Sequence, residues 1–273
     1  MNVAFVDTSI LVDVLINIGP NRDRAIKALE QFEETQLPVY GIKEFQSGAL
    51  GSLVWLHNKL QTTKSVGDTL LAIQRLLSHK RNLPATALEA LAREMKSLGK
   101  KVPAELAAKY GETSIDEINA DACKHVFRYR IMQAWEQRRT VTSHVVWPCA
   151  CFPETAPQMK RDLIVMTPRG CTGPKNCAMA FALRASADDL AKLLRAVRGI
   201  SGGRGSQYQV LRHLVRTPKR EIVSDANCRA LGDAIFAFLC PDGAVILTTN
   251  LRDHHPLAAA VGKVALHPES LKD

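Results

Sequence analysis

The feature of this sequence that most constrains its fold is a short apolar run near its start, Val3–Val6, which stops at Asp7. An uninterrupted apolar run of this length is typical of a parallel strand that is covered on both faces. The apolar residues after Ser9 follow helical spacing, which predicts a short helix directly after the strand. A strand followed at once by a helix indicates an α/β fold.

Three more apolar runs, each bounded by turn residues, predict further strands. They cover residues 37–42, 244–249 and 263–266. Amphipathic spacing between these runs predicts the intervening helices. They cover residues 22–34, 43–56 and 225–240. The expected fold class is therefore α/β, with a central parallel sheet.

The two ends of the chain, 1–64 and 206–273, are predicted to form this core together. Residues 65–205 are predicted to be a mostly helical insert that interrupts it. This insert holds 22 basic and 13 acidic side chains and so accounts for the whole net charge of +9. Neutralising phosphates releases condensed counterions, so a basic region favours a nucleic-acid partner. A solvated basic surface kept for solubility is the alternative.

A cysteine cluster lies within residues 141–182 of the insert, a stretch rich in proline. Zinc takes four soft ligands, and a segment with little core needs a staple, so a structural Zn²⁺ is one interpretation. His144 is an alternative ligand, and unpaired packing thiols are the other interpretation. The cluster consists of Cys149, Cys151, Cys171 and Cys177. Cys123, Cys228 and Cys240 lie among helical apolar residues and are predicted to be buried.

The chain shows no apolar run long enough to cross a membrane, and its apolar start carries Asp7 and Asp13. A secretory leader tolerates neither charge within its apolar segment. We therefore predict a cytoplasmic protein without a membrane partner. The sequence leaves open a protein regulator or a homo-oligomer.

Three carboxylates, Asp7, Glu44 and Asp253, follow expected strands. A fourth, Asp233, lies inside the predicted helix 225–240, from which it could join them. The carboxyl ends of parallel strands form the crevice where ligands bind. Carboxylates that crowd together repel one another unless cations neutralise them, and oxygen donors select Mg²⁺ or Mn²⁺. Paired ions of this kind can activate water and stabilise the leaving oxygen of a phosphodiester.

The motifs around these acids resemble those of the PIN domain, a family of metal-dependent nucleases. The resemblance implies a three-layer α/β/α sandwich. The resemblance rests on VAFVDTSILVDVL (3–15), VYGIKEF (39–45), GDAIFAFLCPDGAVILTTN (232–250) and LRDHHPLA (251–258). It implies that Asp7, Glu44, Asp233 and Asp253 are the catalytic and metal-binding acids. The hydroxyl of Thr8 or Ser9, together with Thr249 and Asn250, would support them.

The resemblance also implies an endoribonuclease, with RNA favoured over DNA and 5′-phosphate and 3′-hydroxyl products. One departure is Asn250, where many members of the family carry Asp, so the site holds less negative charge. Asp225 is an alternative third ligand to Asp233, and Asp13 is the rival of Asp7. A catalytically decayed RNA- or protein-binding module and a structure-specific DNA nuclease remain the competing hypotheses.

A basic and aromatic segment, 124–139, supplies candidates for contact with RNA. Arginines alternating with aromatic rings suit single-stranded nucleic acid, because bases stack while phosphates pair with cations. The candidates are Arg128, Arg130, Arg138 and Arg139, together with Arg204 from a glycine-rich joint. In the competing interpretation, Phe127, Ile131 and Trp135 pack inward and the arginines stay outside. His254 and His255 adjoin Asp253 and are candidates for contact with phosphate or a metal. The favoured interpretation is two surface histidines that do neither.

Overall fold

The structure is a computed structural model of the 273-residue chain. It describes residues 2–77, 83–98, 115–146, 156–166, 178–203, 205–216 and 225–271. Contacts divide the described residues into two units. The first unit draws on residues 1–44, 138–154 and 169–273, and the second on residues 45–137 and 155–168.

Seven strands occur among the described residues. They are β1 (Val3–Val6), β2 (Glu34–Pro38), β3 (His144–Val146), β4 (Gln158–Lys160), β5 (Leu163–Val165), β6 (Ala244–Leu247) and β7 (Val264–Leu266). Five of them form the parallel sheet of the first unit, in the order β3-β2-β1-β6-β7. The α/β class with a central parallel sheet, predicted from the sequence, is confirmed.

The helices of the described residues separate and flank these strands. They are α1 (Thr8–Leu15), α2 (Pro20–Glu30), α3 (Val39–Phe45), α4 (Gly51–Thr63), α5 (Val66–Leu77), α6 (Leu83–Leu98), α7 (Ile115–Val141), α8 (Ala178–Ala185), α9 (Ala187–Ser201), α10 (Ser206–Arg216), α11 (Asp225–Leu231), α12 (Asp233–Leu239) and α13 (Leu251–Ala260). A π-helical turn, Gln46–Leu50, joins α3 to α4. None of these helices is long and apolar enough to cross a membrane.

β1 lies in the middle of the sheet, where Val3 pairs with Glu34 on one side and with Ala244 on the other. Its residues Ala4, Phe5 and Val6 are completely buried. This burial on both faces explains why the strand reads as a continuous apolar run rather than an alternating one. The position of β1 carries Asp7 to the carboxyl edge of the sheet.

The second strand differs from its prediction. β2 ends at Pro38, and the apolar residues from Val39 onward begin helix α3 instead of continuing the strand. Val39, Ile42 and Phe45 are buried at helical spacing. A short apolar run does not by itself separate a strand from a buried helix, which is why the strand prediction over 37–42 was wrong.

The penultimate helix is also divided where the sequence predicted one continuous helix. Gly232 has a φ of +43°, a left-handed conformation that side chains rarely adopt, and it separates α11 from α12. Asp233 is therefore the first residue of α12 rather than a residue in the middle of a helix. Because of this break, α12 does not continue the axis of α11, the helix that carries Asp225.

The core of the first unit forms around Phe236. Its ring meets the rings of Phe5 and Tyr40 edge to face, at centroid distances of 6.2 and 5.8 Å. Truncating such a buried ring to Ala costs about 3–5 kcal/mol. Buried side chains of α8, α9 and α10, including Leu183 and Leu193, belong to the same cluster. Residues 178–203 therefore pack with the sheet, and the predicted insert 65–205 does not coincide with the second unit.

The second unit combines α4, α5, α6 and most of α7 with the antiparallel pair β4–β5. The amide of Asn58, on α4, holds this pair by two hydrogen bonds to the backbone of Ile164. Its Nδ2 donates to the Ile164 carbonyl oxygen and its Oδ1 accepts from the Ile164 N–H, each at 2.8 Å. The described part of this unit is mostly helical.

Candidate active site

Asp7 lies directly after β1 and is almost fully buried, with 4% of the residue exposed. Its N–H donates to the carbonyl oxygen of Leu247 at 3.0 Å, so the pairing of β1 with β6 extends to the site. The carboxylate Oδ2 accepts hydrogen bonds from Ser9 Oγ at 2.6 Å and from Thr248 Oγ1 at 2.8 Å. These two donors fix the orientation of a buried charge.

The loop after β6 is tied to the same hydroxyls. The N–H of Thr249 donates to Ser9 Oγ at 3.0 Å, and the N–H of Asn250 donates to Thr248 Oγ1 at 2.9 Å. The predicted supporting residues Ser9, Thr249 and Asn250 thus lie in this network. Thr248, which the sequence analysis did not select, is fully buried and supplies the more direct contact.

Asp7 and Asp233 converge on one imidazole. His254 Nε2 lies 3.4 Å from Asp7 Oδ1 and 3.2 Å from Asp233 Oδ1. The ring is 1% exposed and packs edge to face on Phe236 at a centroid distance of 5.5 Å. Acids from opposite parts of the sequence therefore share a single partner.

The interpretation of His254 as a surface residue was wrong, whereas His255 is exposed. The signal was present in the spacing of α13, where His254 lies three residues before the buried Leu257 and so on the buried stripe. Its Nδ1 is buried without a hydrogen-bond partner.

Glu44, on α3, has a hydroxyl partner of its own. Thr8 Oγ1 donates to its Oε2 at 2.6 Å. Burial raises the pKa of Glu44, and the negative charges of Asp7 and Asp233 raise it further, to about 7. Glu44 is therefore electrostatically coupled to both aspartates, and Thr8 is its supporting hydroxyl.

The ionisation of the other two groups follows from their contact. Burial by itself would raise the pKa of Asp7, but the hydrogen bond and positive charge of His254 outweigh it and hold the pKa below its usual value. Burial would lower the pKa of His254, but its hydrogen bonds to Asp233 and Asp7 and their charges raise it to about 10. The imidazole is therefore a cation between two carboxylates at neutral pH.

Asp253 is placed differently from the other predicted acids. It lies in the first turn of α13, where Asn250 Nδ2 donates to its Oδ2 at 2.9 Å. The contacts that the structure describes for this carboxylate are local, and they do not include Asp7, Glu44 or Asp233. Of the four predicted acids, three are coupled and Asp253 is apart.

The two alternative acids lie on helices other than those that carry Glu44 and Asp233. Asp13 is buried on α1 and accepts a hydrogen bond from Asn17 Nδ2 at 2.6 Å. Asp225 begins α11, which Gly232 separates from the helix of Asp233. Asp233 is therefore the third member of the cluster.

The donor set of Asp7, Glu44 and Asp233 is rich in oxygen and negatively charged, which suits a hard divalent cation. Within the described ranges, no group of three or more His, Cys, Asp or Glu side chains already has the arrangement of a metal site. His254 lies between the two aspartates and provides positive charge at that point. A cation at the same point requires the ring to move or to bind it.

The arginine candidates have unequal surroundings. Arg128 and Arg139 are exposed, whereas Arg130 Nη1 lies 2.6 Å from Glu94 Oε1, so the charge of Arg130 is compensated. Arg138 is 6% exposed, and burial together with Arg139 lowers its pKa to about 10. The prediction that Arg138 faces solvent was wrong, because it continues the buried stripe of α7.

The aromatic residues of α7 divide as the competing interpretation predicted. Phe127, Ile131 and Trp135 are buried, while Tyr129 is 66% exposed. Cys123, Cys228 and Cys240 are buried, as predicted. Five further candidates, Cys149, Cys151, Cys171, Cys177 and Arg204, lie outside the described residues.

Comparisons of the chain with sequence models of protein families, with curated proteins and with solved structures found no match.

Proposed function

We propose that this chain is a PIN-like, divalent-metal-dependent endoribonuclease that hydrolyses RNA phosphodiester bonds. The observation that carries the proposal is the meeting of Asp7, after β1, with Asp233, at the start of α12, on a single imidazole at the carboxyl edge of a parallel sheet. Ligands bind at this edge in open α/β sheets. The motif resemblance to the PIN family supports the same site.

Asp7, Glu44 and Asp233 would hold the cation. The raised pKa of Glu44 reflects burial and repulsion by two neighbouring carboxylates, and a bound cation would relieve that repulsion. Mg²⁺ or Mn²⁺ would supply an activated water and charge stabilisation at the scissile phosphate.

The hydroxyl groups of the site would keep these carboxylates in position. Ser9 and Thr248 donate to Asp7, and Thr8 donates to Glu44, so each acid has a fixed orientation before substrate arrives. Fixed donors and acceptors reduce the reorganisation needed in the transition state. His254 would limit the electrostatic cost of the two aspartates when they are not otherwise neutralised.

The choice of RNA as substrate follows from the family resemblance and from charge. The chain carries a formal net charge of +9, and Arg128 and Arg139 are exposed cations on α7. Cations of this kind contact phosphates without reading sequence. We propose products with 5′-phosphate and 3′-hydroxyl ends.

The test compares Asp7→Asn with Asp13→Asn on labelled single-stranded RNA in Mn²⁺ and in EDTA. Both positions are buried aspartates near the start of the chain, but only Asp7 contacts His254. We expect Asp7→Asn to lower the cleavage rate by about 10³-fold. Asp13→Asn should cleave like the wild type, and both should bind RNA. Cleavage by Asp7→Asn at the wild-type rate would refute the proposal.

A second candidate function is a non-catalytic RNA- or protein-binding module. It is favoured by His254, which neutralises Asp7 and Asp233 within the protein, and by Asn250 at a position where the family often has Asp. RNA binding without Mn²⁺-dependent cleavage would establish this candidate instead. Cleavage of flap DNA in preference to RNA would indicate a structure-specific DNA nuclease.

A further inference from the structure

The second unit contains a groove of about 460 Å³ between the start of α4 and strand β5. Its volume falls within the usual range for small-ligand sites. The groove is lined by Gln46, Ser47, Gly51, Val54, Trp55, Asn58, Ile164, Val165 and Met166. None of these residues belongs to the acidic site.

Gln46 is the unusual member of this set. The residue is completely buried, and both its Nε2 and its Oε1 lack a hydrogen-bond partner. More than about nine in ten buried polar groups in proteins are paired, so an amide with an unmet donor and an unmet acceptor calls for an explanation. Gln46 also begins a π-helical turn, a feature found frequently at functional sites.

A second amide in the same groove provides an internal contrast. The amide of Asn58 donates one hydrogen bond to the backbone of Ile164 and accepts another from it, at 2.8 Å each. The amide of Asn58 is therefore structural, whereas the amide of Gln46 holds nothing in place.

The remaining walls suit a flat, partly apolar ligand. Trp55 is partly exposed, and Val54, Ile164 and Met166 add apolar surface. Nucleobases stack on aromatic side chains, and a primary amide pairs with a base edge that offers an adjacent donor and acceptor. An aromatic ring and an unpaired amide in one groove match both requirements.

We propose that this groove binds one unpaired base of single-stranded RNA, with Trp55 stacking on the base. The Gln46 amide, which is buried in the free protein, would turn toward the groove and pair with the edge of the base. The identification of the ligand as RNA depends on the proposed function, while binding of the base does not require cleavage. The groove would thereby give the protein a preference among bases, because the phosphate contacts of α7 carry no sequence information.

The experiment titrates the full chain, in EDTA, with AMP, GMP, CMP and UMP, and with ribose 5-phosphate as the control without a base. Equilibrium dialysis gives Kd, and quenching of tryptophan fluorescence reports stacking. We expect at least one nucleotide to bind with a Kd on the order of 0.1 mM. Ribose 5-phosphate should bind at least tenfold more weakly, a difference of 1.4 kcal/mol.

Gln46→Met is nearly isosteric and removes the amide, and Gln61→Met makes the same change on α4 in a different groove. We expect Gln46→Met to raise Kd for the preferred nucleotide at least tenfold and to reduce the differences among the four nucleotides. Gln61→Met should leave Kd unchanged. Trp55→Leu should weaken binding of all four nucleotides and abolish the quenching.

Thermal unfolding of Gln46→Met separates the groove from a structural role for the amide. If the amide is unpaired in the free protein, the variant unfolds at the wild-type temperature or a few degrees higher. A lowered unfolding temperature together with unchanged nucleotide affinity would show that Gln46 serves the fold, and the proposal would fall.

Equal affinity for all nucleotides and ribose 5-phosphate would also overturn it, because the base would then make no contact. Failure of the proposed function is a different result. If the protein binds nucleotides in EDTA but does not cleave RNA in Mn²⁺, the groove proposal stands and the proposed nuclease function is refuted.

Discussion

The four predicted acids fall into two regions with different physical characters. Asp7 and Asp233 come from opposite parts of the sequence and share His254, while Asp253 accepts a hydrogen bond from Asn250 three residues before it. The first arrangement exists only when the sheet is assembled. The second needs only one helical turn.

The difference shows how this chain treats a charge that it buries. Asp7 is 4% exposed, and an unpaired ion at such a depth is costly, so two hydroxyls and one imidazolium surround it. Asp253 lies near the surface and has one neighbouring amide. The electrostatic cost of a buried charge is retained where function requires the charge. Three variants test whether this is so for the group around His254.

The largest effect on stability is expected for His254→Leu in EDTA. The variant leaves Asp7 and Asp233 without their shared cation, and breaking a buried ion pair costs about 3–5 kcal/mol. Chemical denaturation at pH 6 measures the loss in the free energy of unfolding. His255→Leu, at the exposed neighbour, should change it by less than about 0.5 kcal/mol.

The same variant has a defined dependence on pH. The pKa of His254 is raised from 6.5 to about 10, so its stabilisation is fully present below pH 6.5 and is lost as the pH rises toward 10. The difference between the wild type and His254→Leu should therefore shrink over this range. A difference that grows with pH would contradict the assignment of an imidazolium.

The next prediction compares the RNA cleavage rates of variants of Asp233, which contacts His254, and of Asp253, which does not belong to that group. Asp233→Asn should lower Mn²⁺-dependent cleavage of RNA by roughly 100-fold, because it removes an oxygen donor of the coupled cluster. Asp253→Asn should lower it by less than about tenfold, which is 1.4 kcal/mol. Equal losses in the two variants would show that Asp253 joins the site during the reaction.

The smallest effect on the free energy of unfolding is expected for Glu44→Gln, which keeps an acceptor for Thr8 and removes a charge. The pKa of Glu44 is raised from 4.5 to about 7, so the ionised carboxylate lowers stability as the pH rises through this window. In EDTA the variant should be about 1–3 kcal/mol more stable than the wild type at pH 8. At pH 4 the carboxyl is protonated in both states, and the two proteins should unfold alike.

The parts of the fold predicted well are those where local pattern and burial agree. β1, α1 and the edge strand β7 appear close to their expected positions, because each is a short apolar or amphipathic run with clear boundaries. Asp7 could be placed at the carboxyl edge because a charge stops the apolar run there. Its partner His254 could not be identified, because the contact between residues 7 and 254 forms only in the tertiary structure and leaves no local pattern in the sequence.

The errors have specific causes. Residues 39–42 are buried in a helix, where apolarity alone had favoured a strand. Gly232 ends one helix and starts another by a backbone conformation that spacing does not reveal. β3 has three residues and lies beside the cysteine-rich stretch, so its pairing with β2 had no local signal.

The central place of β1 also determines when the acidic site can form. Val3 needs Ala244 as its neighbour, and Asp7 is oriented by Thr248 and His254. During synthesis, residues up to 254 must therefore leave the ribosome before β1 can pair with β6 and Asp7 can contact both Thr248 and His254. A chain that ends before residue 244 therefore lacks one neighbour of β1, and its Asp7 lacks both Thr248 and His254.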